Sequence, residues 1–278
     1  ELNPDIIHMH SSKAGAIGRL LFRSKGRKMF YTPHGYSFLR NDVFTLQRMI
    51  YKFVEKLCGK KDCLTVACGE SEWEQSKMVT KHSTFSNGIN ITKMRQDLES
   101  VDVSGNADSA NNGRFTVYTV GRINHQKWPE LFNKIAEKLP HIHFVWIGDG
   151  DMRNKLTQPN ITVTGWLENC EAMKLAMNYD VFLLASRYEG LPISLLEAMY
   201  MKKICVVSNV VGNKDVIKNG QTGFVCNHVD EFVDVIADLE KNIDRTLVDN
   251  AYREILEHYN SDWLCNRYRE LYNESVNE

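Results

Sequence analysis

The sequence predicts an α/β protein built on parallel sheets, and three observations carry that expectation. Short apolar runs of strand length alternate with helical apolar patterns, both before and after a polar stretch at residues 97–113. Short connections between them favour parallel strands covered by helices on both faces. At 278 residues, with 43% hydrophobic and 25% charged residues, the chain has the size and composition of one large globular domain or two ordinary ones.

In chain order, residues 5–9 read as a strand, followed by a small-residue turn and a helix over about residues 14–22. Residues 29–32 and 64–68 read as further strands. Between them Leu46, Met49, Ile50, Phe53, Val54 and Leu57 recur at helical spacing. Residues 83–88 close this first region. Residues 97–113 are rich in Ser, Asn and Asp without apolar period, which predicts a loop or interdomain linker. Beyond it, strands are expected at 115–120, 143–147, 161–164, 181–185 and 204–208, with a short one at 223–226. Helices are expected at 129–138, 170–177, 194–201 and 230–241, and two helical stretches rich in Tyr, Trp and Leu fill 247–273. The predicted division is therefore a first domain at 1–96, a linker at 97–113 and a second domain at 114–278.

Composition excludes several function classes. No run approaches the ~18 apolar residues of a spanning helix, and no signal-peptide pattern opens the chain. Seven cysteines include no Cys-x-x-Cys pair, and Cys58, Cys63 and Cys68 match neither zinc spacing nor a disulfide framework. Reduced thiols in a cytoplasmic protein are expected, with no bound metal and no nucleic-acid partner. Charge is segregated: residues 1–96 carry 16 Lys and Arg against 8 Asp and Glu, and the remainder 18 against 27. Arg48, Lys52, Lys56 and Lys60 fall four apart beside the apolar stripe, and Arg19, Arg23, Arg27, Lys25 and Lys28 form a second cluster. Both predict contact with an anionic membrane surface or a lipid-diphosphate acceptor. A solvated helix face is the alternative.

The most informative segment is Ser186-Arg187-Tyr188-Glu189-Gly190-Leu191-Pro192-Ile193-Ser194-Leu195-Leu196-Glu197-Ala198-Met199. A buried strand runs into a Gly/Pro turn that opens a helix at Ser194, and in parallel sheets such crevices bind ligands. The N–H groups of Ile193 to Leu195, with the helix dipole, suit a phosphate. Glu189 and Glu197 flank that turn. The bland reading is equally open at this point: Ser194-x-x-Glu197 is also a capping box, and Glu189 fits a solvated carboxylate.

This segment resembles the paired-glutamate motif of family-four retaining glycosyltransferases, and further segments extend the resemblance in order along nearly the whole chain. Asp5 to Gly15 resembles the N-terminal-domain loop of bacterial polysaccharide transferases, Thr32-Pro33-His34-Gly35-Tyr36 the next strand end, and Asn87-Gly88-Ile89 the exit from that domain. Val120-Gly121-Arg122 with Gln126-Lys127 resembles the phosphate-binding loop, and Ile147-Gly148-Asp149-Gly150 and Gly212 to Gly223 also have counterparts.

The resemblance implies a GT-B fold, two Rossmann-like domains with parallel sheets facing across a cleft, the final helix crossing back onto the first. It implies transfer of a sugar from a nucleotide donor, most often a UDP-sugar, to a hydroxyl of a growing, lipid-linked glycan, with retention at the anomeric carbon. The nucleotide sugar is a substrate, so no cofactor is implied. Arg122 and Lys127 would neutralise the diphosphate, Glu197 would bind ribose hydroxyls, and Glu189 the transferred sugar. Backbone N–H groups from Gly190 through Leu191 and Pro192 to Ile193 would hold sugar and distal phosphate. His10 would reach the donor sugar with His34 nearby, and Gly121, Gly148, Asp149 and Trp166 would line the nucleotide.

Two departures stand out: Asp215 replaces the family's usual Glu, and the Gly-rich loop near the start of the N-terminal domain is missing. The first domain is therefore expected to be incomplete, with apolar surface exposed where further strands would pair. The rival readings are a nucleotide-sugar epimerase on the same fold and a catalytically silent sugar-nucleotide-binding protein. Such an enzyme is expected in the cytoplasm, peripheral on the inner face of the plasma membrane.

Overall fold

The structure, a computed structural model, describes residues 3–22, 24, 26–40, 43–80, 83–85, 88–99 and 114–276. The first elements are β1 (Ile6–His10), α1 (Ser12–Leu21), β2 (Lys28–Thr32), α2 (Thr45–Cys58), β3 (Leu64–Ala67), α3 (Glu70–Ser76), β4 (Ser83–Phe85) and α4 (Ile91–Glu99). Then follow β5 (Thr116–Val120), α5 (Pro129–Lys138), β6 (His143–Ile147), β7 (Ile161–Val163), α6 (Asn169–Ala176) and β8 (Val181–Leu184). The chain continues through α7 (Ile193–Tyr200), β9 (Ile204–Ser208), the short α8 (Asn213–Val216) and β10 (Phe224–Cys226) to α9 (Val229–Lys241), α10 (Arg245–His258) and α11 (Ser261–Val276). Asp97, Leu98 and Glu99, expected in the linker, are the last turn of α4, and residues 100–113 of that linker lie outside the described residues, as does Asn87.

The chain divides into two compact units. One joins Glu1–Gly88, Tyr188–Leu191 and Ser261–Glu278; the other joins Ile89–Arg187 and Pro192–Asn260. In the first, four parallel strands lie in the order β1-β2-β3-β4. Helix α11 covers this sheet, with Leu271, Tyr268 and Tyr272 packed on Phe30 and Val66. The rings of Phe30 and Tyr272 meet edge to face at 4.8 Å, a geometry aromatic pairs prefer.

Helices α1 and α2 show the right period and the opposite face. The stripe that predicts α2 is turned outward: Leu46 is 68% exposed, Met49 64% and Phe53 62%. Its buried positions are Glu55 and Cys58. The reason is a buried ion pair. Arg19 Nη2 donates to Glu55 Oε2 at 2.7 Å, Tyr31 Oη donates to Glu55 Oε1 at 2.9 Å, and Arg19 Nε donates to Gly15 O at 2.9 Å. Breaking such a pair strands a buried charge, so its partners must face inward together. On α1 the sheet-facing positions include Gly15, where a Cβ would stand 2.1 Å from the Tyr31 ring. Ile17, Leu20 and Leu21 are left exposed.

The same ion pair removes Arg19 from the second basic cluster, and Arg23 and Lys25 lie outside the described residues. On α2, Arg48 Nε donates to Phe38 O and Lys52 Nζ stands 5.8 Å from the Phe38 ring centre, whereas Lys56 and Lys60 are exposed.

The second unit holds six parallel strands in the order β10-β9-β8-β5-β6-β7. Phe132 of α5 packs edge to face on Phe144 and Trp146 of β6, at 5.6 Å and 5.0 Å. Successive strands step outward from β5 through β6 to β7, and then from β8 through β9 to β10. The direction of winding reverses between β5 and β8, so their carboxyl ends form the crevice where such sheets take ligands.

Candidate functional site

Three loops meet at that crevice in the second unit. After β5 comes Gly121-Arg122, after β6 Gly148-Asp149-Gly150, and after β8 Ala185 to Arg187. Gly121 N–H donates to Ile147 O at 3.0 Å, Trp146 Nε1–H donates to Gly121 O at 2.8 Å, and Arg187 N–H donates to Gln126 O at 2.8 Å. Gly148 has φ +137°, and a Cβ there would stand 2.3 Å from Gly121 O. No L side chain fits that approach.

Lys127 lies over Gly121, its Cε 3.3 Å from where a Cβ would be, and its backbone N–H is held by Asn124 Oδ1 at 3.1 Å. Arg122 is exposed. The two cations thus flank one glycine loop at the switch point.

Asp149 is committed locally. Its carboxylate accepts the Gly150 N–H at 2.8 Å and Arg153 Nη1 at 2.9 Å. Asp149-Gly150-Asp151 has Asp-x-Asp spacing, which the expectation of a metal-free site passed over. Among the described residues, no group of three or more His, Cys, Asp or Glu is placed to hold a metal. Trp166 follows the bridge between Gly148 and Gly165, and its side chain is 64% exposed. That leaves an indole face available for stacking.

Helix α7 corrects the capping-box reading. Its N-cap is Pro192, with no side-chain cap bond. Ser194 is then the second helical residue, and Glu197 is too far along to close a box. Pro192 O accepts the N–H groups of Leu195 at 3.1 Å and Leu196 at 3.3 Å, and Pro192 has no N–H of its own. Of the N–H groups expected to meet a phosphate, Ile193 to Leu195, that of Leu195 is therefore committed within the helix.

Glu197 lines a small pocket with Tyr118, Val120, Asn169, Met173 and Ser194. Burial raises its carboxyl above the ordinary range, opposed by a hydrogen bond from Asn169. A raised carboxyl favours folding when protonated and opposes it when ionised. Glu197→Gln should therefore raise the melting temperature above pH 7, and the gain should shrink as pH falls through the raised value and vanish below about 4.5, the ordinary carboxyl value. Calorimetry across that range checks it; a lower melting temperature for the variant at pH 8 would show that Glu197 serves the fold instead.

The remaining candidates sit in the first unit. The chain leaves the second unit at Tyr188 and returns at Pro192. Glu189 is 6% exposed, and carboxylates are buried only when partnered. A Cβ on Gly190 would stand 3.0 Å from Gly35 N and 3.1 Å from His34 C, so this glycine seats the segment, including buried Leu191, on the turn after β2. That turn is left-handed at both His34 (φ +54°) and Gly35 (φ +94°).

His10 at the end of β1 joins it, with Nδ1 2.9 Å from His34 Nε2. Burial lowers the His34 pKa, with His10 adding to the effect. His8 stacks on His10 at 4.3 Å but is itself tied down, Nδ1 to Tyr272 Oη at 2.7 Å and Nε2 to Thr32 Oγ1 at 2.9 Å. Burial, then the neighbouring His10 and His34, push it down to about 4.

Two residues that contact this turn were given no role at it by the sequence. Glu72 Oε1 accepts the Gly35 N–H at 2.6 Å, and its Oε2 accepts the Cys68 N–H at 2.7 Å. Cys68 Sγ lies 3.3 Å from His34 Nδ1. A wholly buried glutamate in the first turn of α3 has no signature in spacing, since Glu70, Glu72 and Glu74 look alike along the chain.

The chain resembles known proteins across this whole arrangement. Residues 114–242 match the family profile described as Glycosyl transferases group 1. An Escherichia coli UDP-Gal:alpha-D-GlcNAc-diphosphoundecaprenol alpha-1,3-galactosyltransferase is 27% identical over 98% of this chain and 76% of its own length. The Staphylococcus aureus capsular polysaccharide biosynthesis glycosyltransferase CapM is 24% identical over 99% of this chain and 78% of its own length. Among solved structures, sucrose-phosphate synthase from Thermosynechococcus elongatus superposes with TM-score 0.78 at 18% identity, over 97% of this chain and 73% of that one. Anabaena HepE in complex with UDP superposes with TM-score 0.76 at 17% identity, over 97% and 79%. The parallel sheets, the switch-point loops and these relatives converge: the chain is a glycosyltransferase of the GT-B fold, carrying a group 1 domain at residues 114–242.

Proposed function

We propose that this glycosyltransferase moves a sugar from a UDP-sugar to a hydroxyl of a lipid-linked glycan, with retention at the anomeric carbon and without a bound metal. The observation that carries the reading is the β5–β8 switch point, where Arg122 and Lys127 flank the Gly121 loop and α7 follows the loop that leaves β8. Cleaving the anomeric C–O bond leaves negative charge on the departing diphosphate. Fixed donors aimed at that charge lower the barrier: a guanidinium, an ammonium and the N–H groups of Ile193 and Ser194.

Glu197 takes the ribose hydroxyls, Trp166 offers a face to the base, and Glu189 holds hydroxyls of the transferred sugar. A phosphate oxygen of the leaving group takes the acceptor proton. The relatives support the substrate classes, one being named for a UDP-galactose donor and a diphosphoundecaprenol acceptor. No described helix is long and apolar enough to cross a membrane. The outward apolar face of α2, with Lys56 and Lys60 beside it, suits an anionic leaflet and supports peripheral association with it.

Mass spectrometry of products from a panel of nucleotide sugars, offered with lipid-diphosphate acceptors, tests the reading. The expected result is an acceptor heavier by one sugar, with a UDP-sugar preferred and EDTA without effect. Donor epimerised with no acceptor product would establish the epimerase reading. Activity lost to EDTA and restored by magnesium would overturn the metal-free mechanism.

A further inference from the structure

The His10–His34 pair is continued inward by two residues that glycosyl transfer does not use directly. Among the described residues the contacts run His10 Nδ1 to His34 Nε2 at 2.9 Å, His34 Nδ1 to Cys68 Sγ at 3.3 Å, and the Cys68 backbone N–H to Glu72 Oε2 at 2.7 Å. The thiol also hydrogen-bonds the Glu72 carboxylate. Glu72 is wholly buried, and its second oxygen holds Gly35 N–H at 2.6 Å. We propose that Cys68 and Glu72 are positioning residues that set the tautomer of His10 through His34, leaving His10 Nε2 as a bare hydrogen-bond acceptor.

Donor supply sets the polarity of this chain of contacts. A neutral imidazole has one N–H and one lone pair, so the polarity at one end of the chain decides every link. Both Glu72 oxygens accept backbone N–H groups, from Gly35 and Cys68, the pattern that holds a carboxylate ionised and purely accepting, and hydrogen bonds to such a group outrank those between neutral ones. The Cys68 S–H is therefore drawn to Glu72. Burial, with Glu72 adding to it, pushes that thiol well above its ordinary range, which keeps the proton on sulfur. With its proton committed, Sγ accepts from His34 Nδ1–H. His34 Nε2 then has a lone pair facing His10, and His10 must donate through Nδ1–H. Its Nε2 carries none.

The His8 ring, itself held at both nitrogens, stacks on His10 and fixes the ring plane. His10 is exposed, so its Nε2 is open to a substrate. On the donor reading above, that atom accepts from a sugar hydroxyl and disfavours an acceptor-only group, such as a uronate carboxylate, at the same place. This last step rests on the glycosyl-transfer reading; the tautomer itself does not.

Long-range 1H–15N correlation on histidine-labelled protein at pH 8.5 reads tautomers directly, with assignments from His10→Gln and His34→Gln. Both rings are expected as Nδ1–H in the wild-type chain. In Cys68→Ala both should move toward the Nε2–H form, and kcat should fall about five- to tenfold, the worth of one neutral hydrogen bond. Cys68→Ser, whose hydroxyl also donates to Glu72 and accepts from His34, should restore both. His10 found as Nε2–H in the wild type overturns the proposal even if no Cys68 variant folds. Unchanged tautomers in a folded Cys68→Ala do the same. Neither readout involves a donor, so correct tautomers in a protein that transfers no sugar would condemn the functional reading and leave this one standing.

Discussion

Arg122→Ala should lower kcat by about 10²–10³-fold at saturating donor, the usual loss for one preorganised donor to developing charge. The melting temperature should barely move. Arg122 is exposed, and surface substitutions away from special contacts usually change stability by less than ~0.5 kcal/mol. The loss falls on kcat because charge on the diphosphate grows as the anomeric bond breaks, and only interactions that strengthen in the transition state raise turnover. Lys127→Ala should behave alike, with a small added stability cost because its stem covers Gly121. Lys241→Ala on α9, whose ammonium merely meets Asp238 at the surface, should change kcat less than twofold. Steady-state kinetics on the three variants decide it. A loss under tenfold for Arg122→Ala, with donor saturating, would remove that guanidinium from the mechanism.

The second large effect is expected at the membrane. Lys56→Ala/Lys60→Ala should weaken binding to anionic liposomes at low salt by about thirtyfold, taking ~1 kcal/mol for each basic side chain at such a surface. Phe53→Ser should weaken it further and independently of salt, since burying an aromatic ring contributes ~1.5–3 kcal/mol when complete. Phe53 is 62% exposed and the face around it contains Leu46, Met49 and Ile50, so the substitution should not harm the fold. The buried side of α2, with Glu55 and Cys58, is untouched. Sedimentation with anionic and neutral vesicles supplies the measurement. Equal sedimentation with both kinds by the wild-type chain defeats the membrane reading of this face.

Much of the arrangement was legible along the chain. Strands β6 and β9 and helix α5 fall where apolar runs and period place them, and most other elements differ by one or two residues. Parallel strands buried on both faces read as continuous apolar runs such as His143–Ile147 and Ile204–Ser208, which is why the second unit was easily read. The short helices α3 and α8 carried no such signal, because seven and four residues hold too few turns to show a period.

What the sequence determined by itself is the alternation of elements, the parallel sheets, and the residue types gathered at strand ends: Gly121 with Arg122 and Lys127, Gly148 with Asp149, and the glutamates around Gly190. The first two follow from local period and chain stereochemistry, and the third from the resemblance of those segments to a known family's motifs. Only the tertiary structure decided which face of a helix turns inward. The period of α2 is the same whether Phe53 or Glu55 is buried, and Arg19, arriving from α1, makes the choice. Tertiary structure also set the N-cap of α7 at Pro192, grouped Tyr188–Leu191 with the first unit, and brought Cys68 and Glu72 beneath His34. The buried pair and the His34 contacts depend on partners tens of residues away, and no pattern within one element encodes where a distant donor will meet its acceptor.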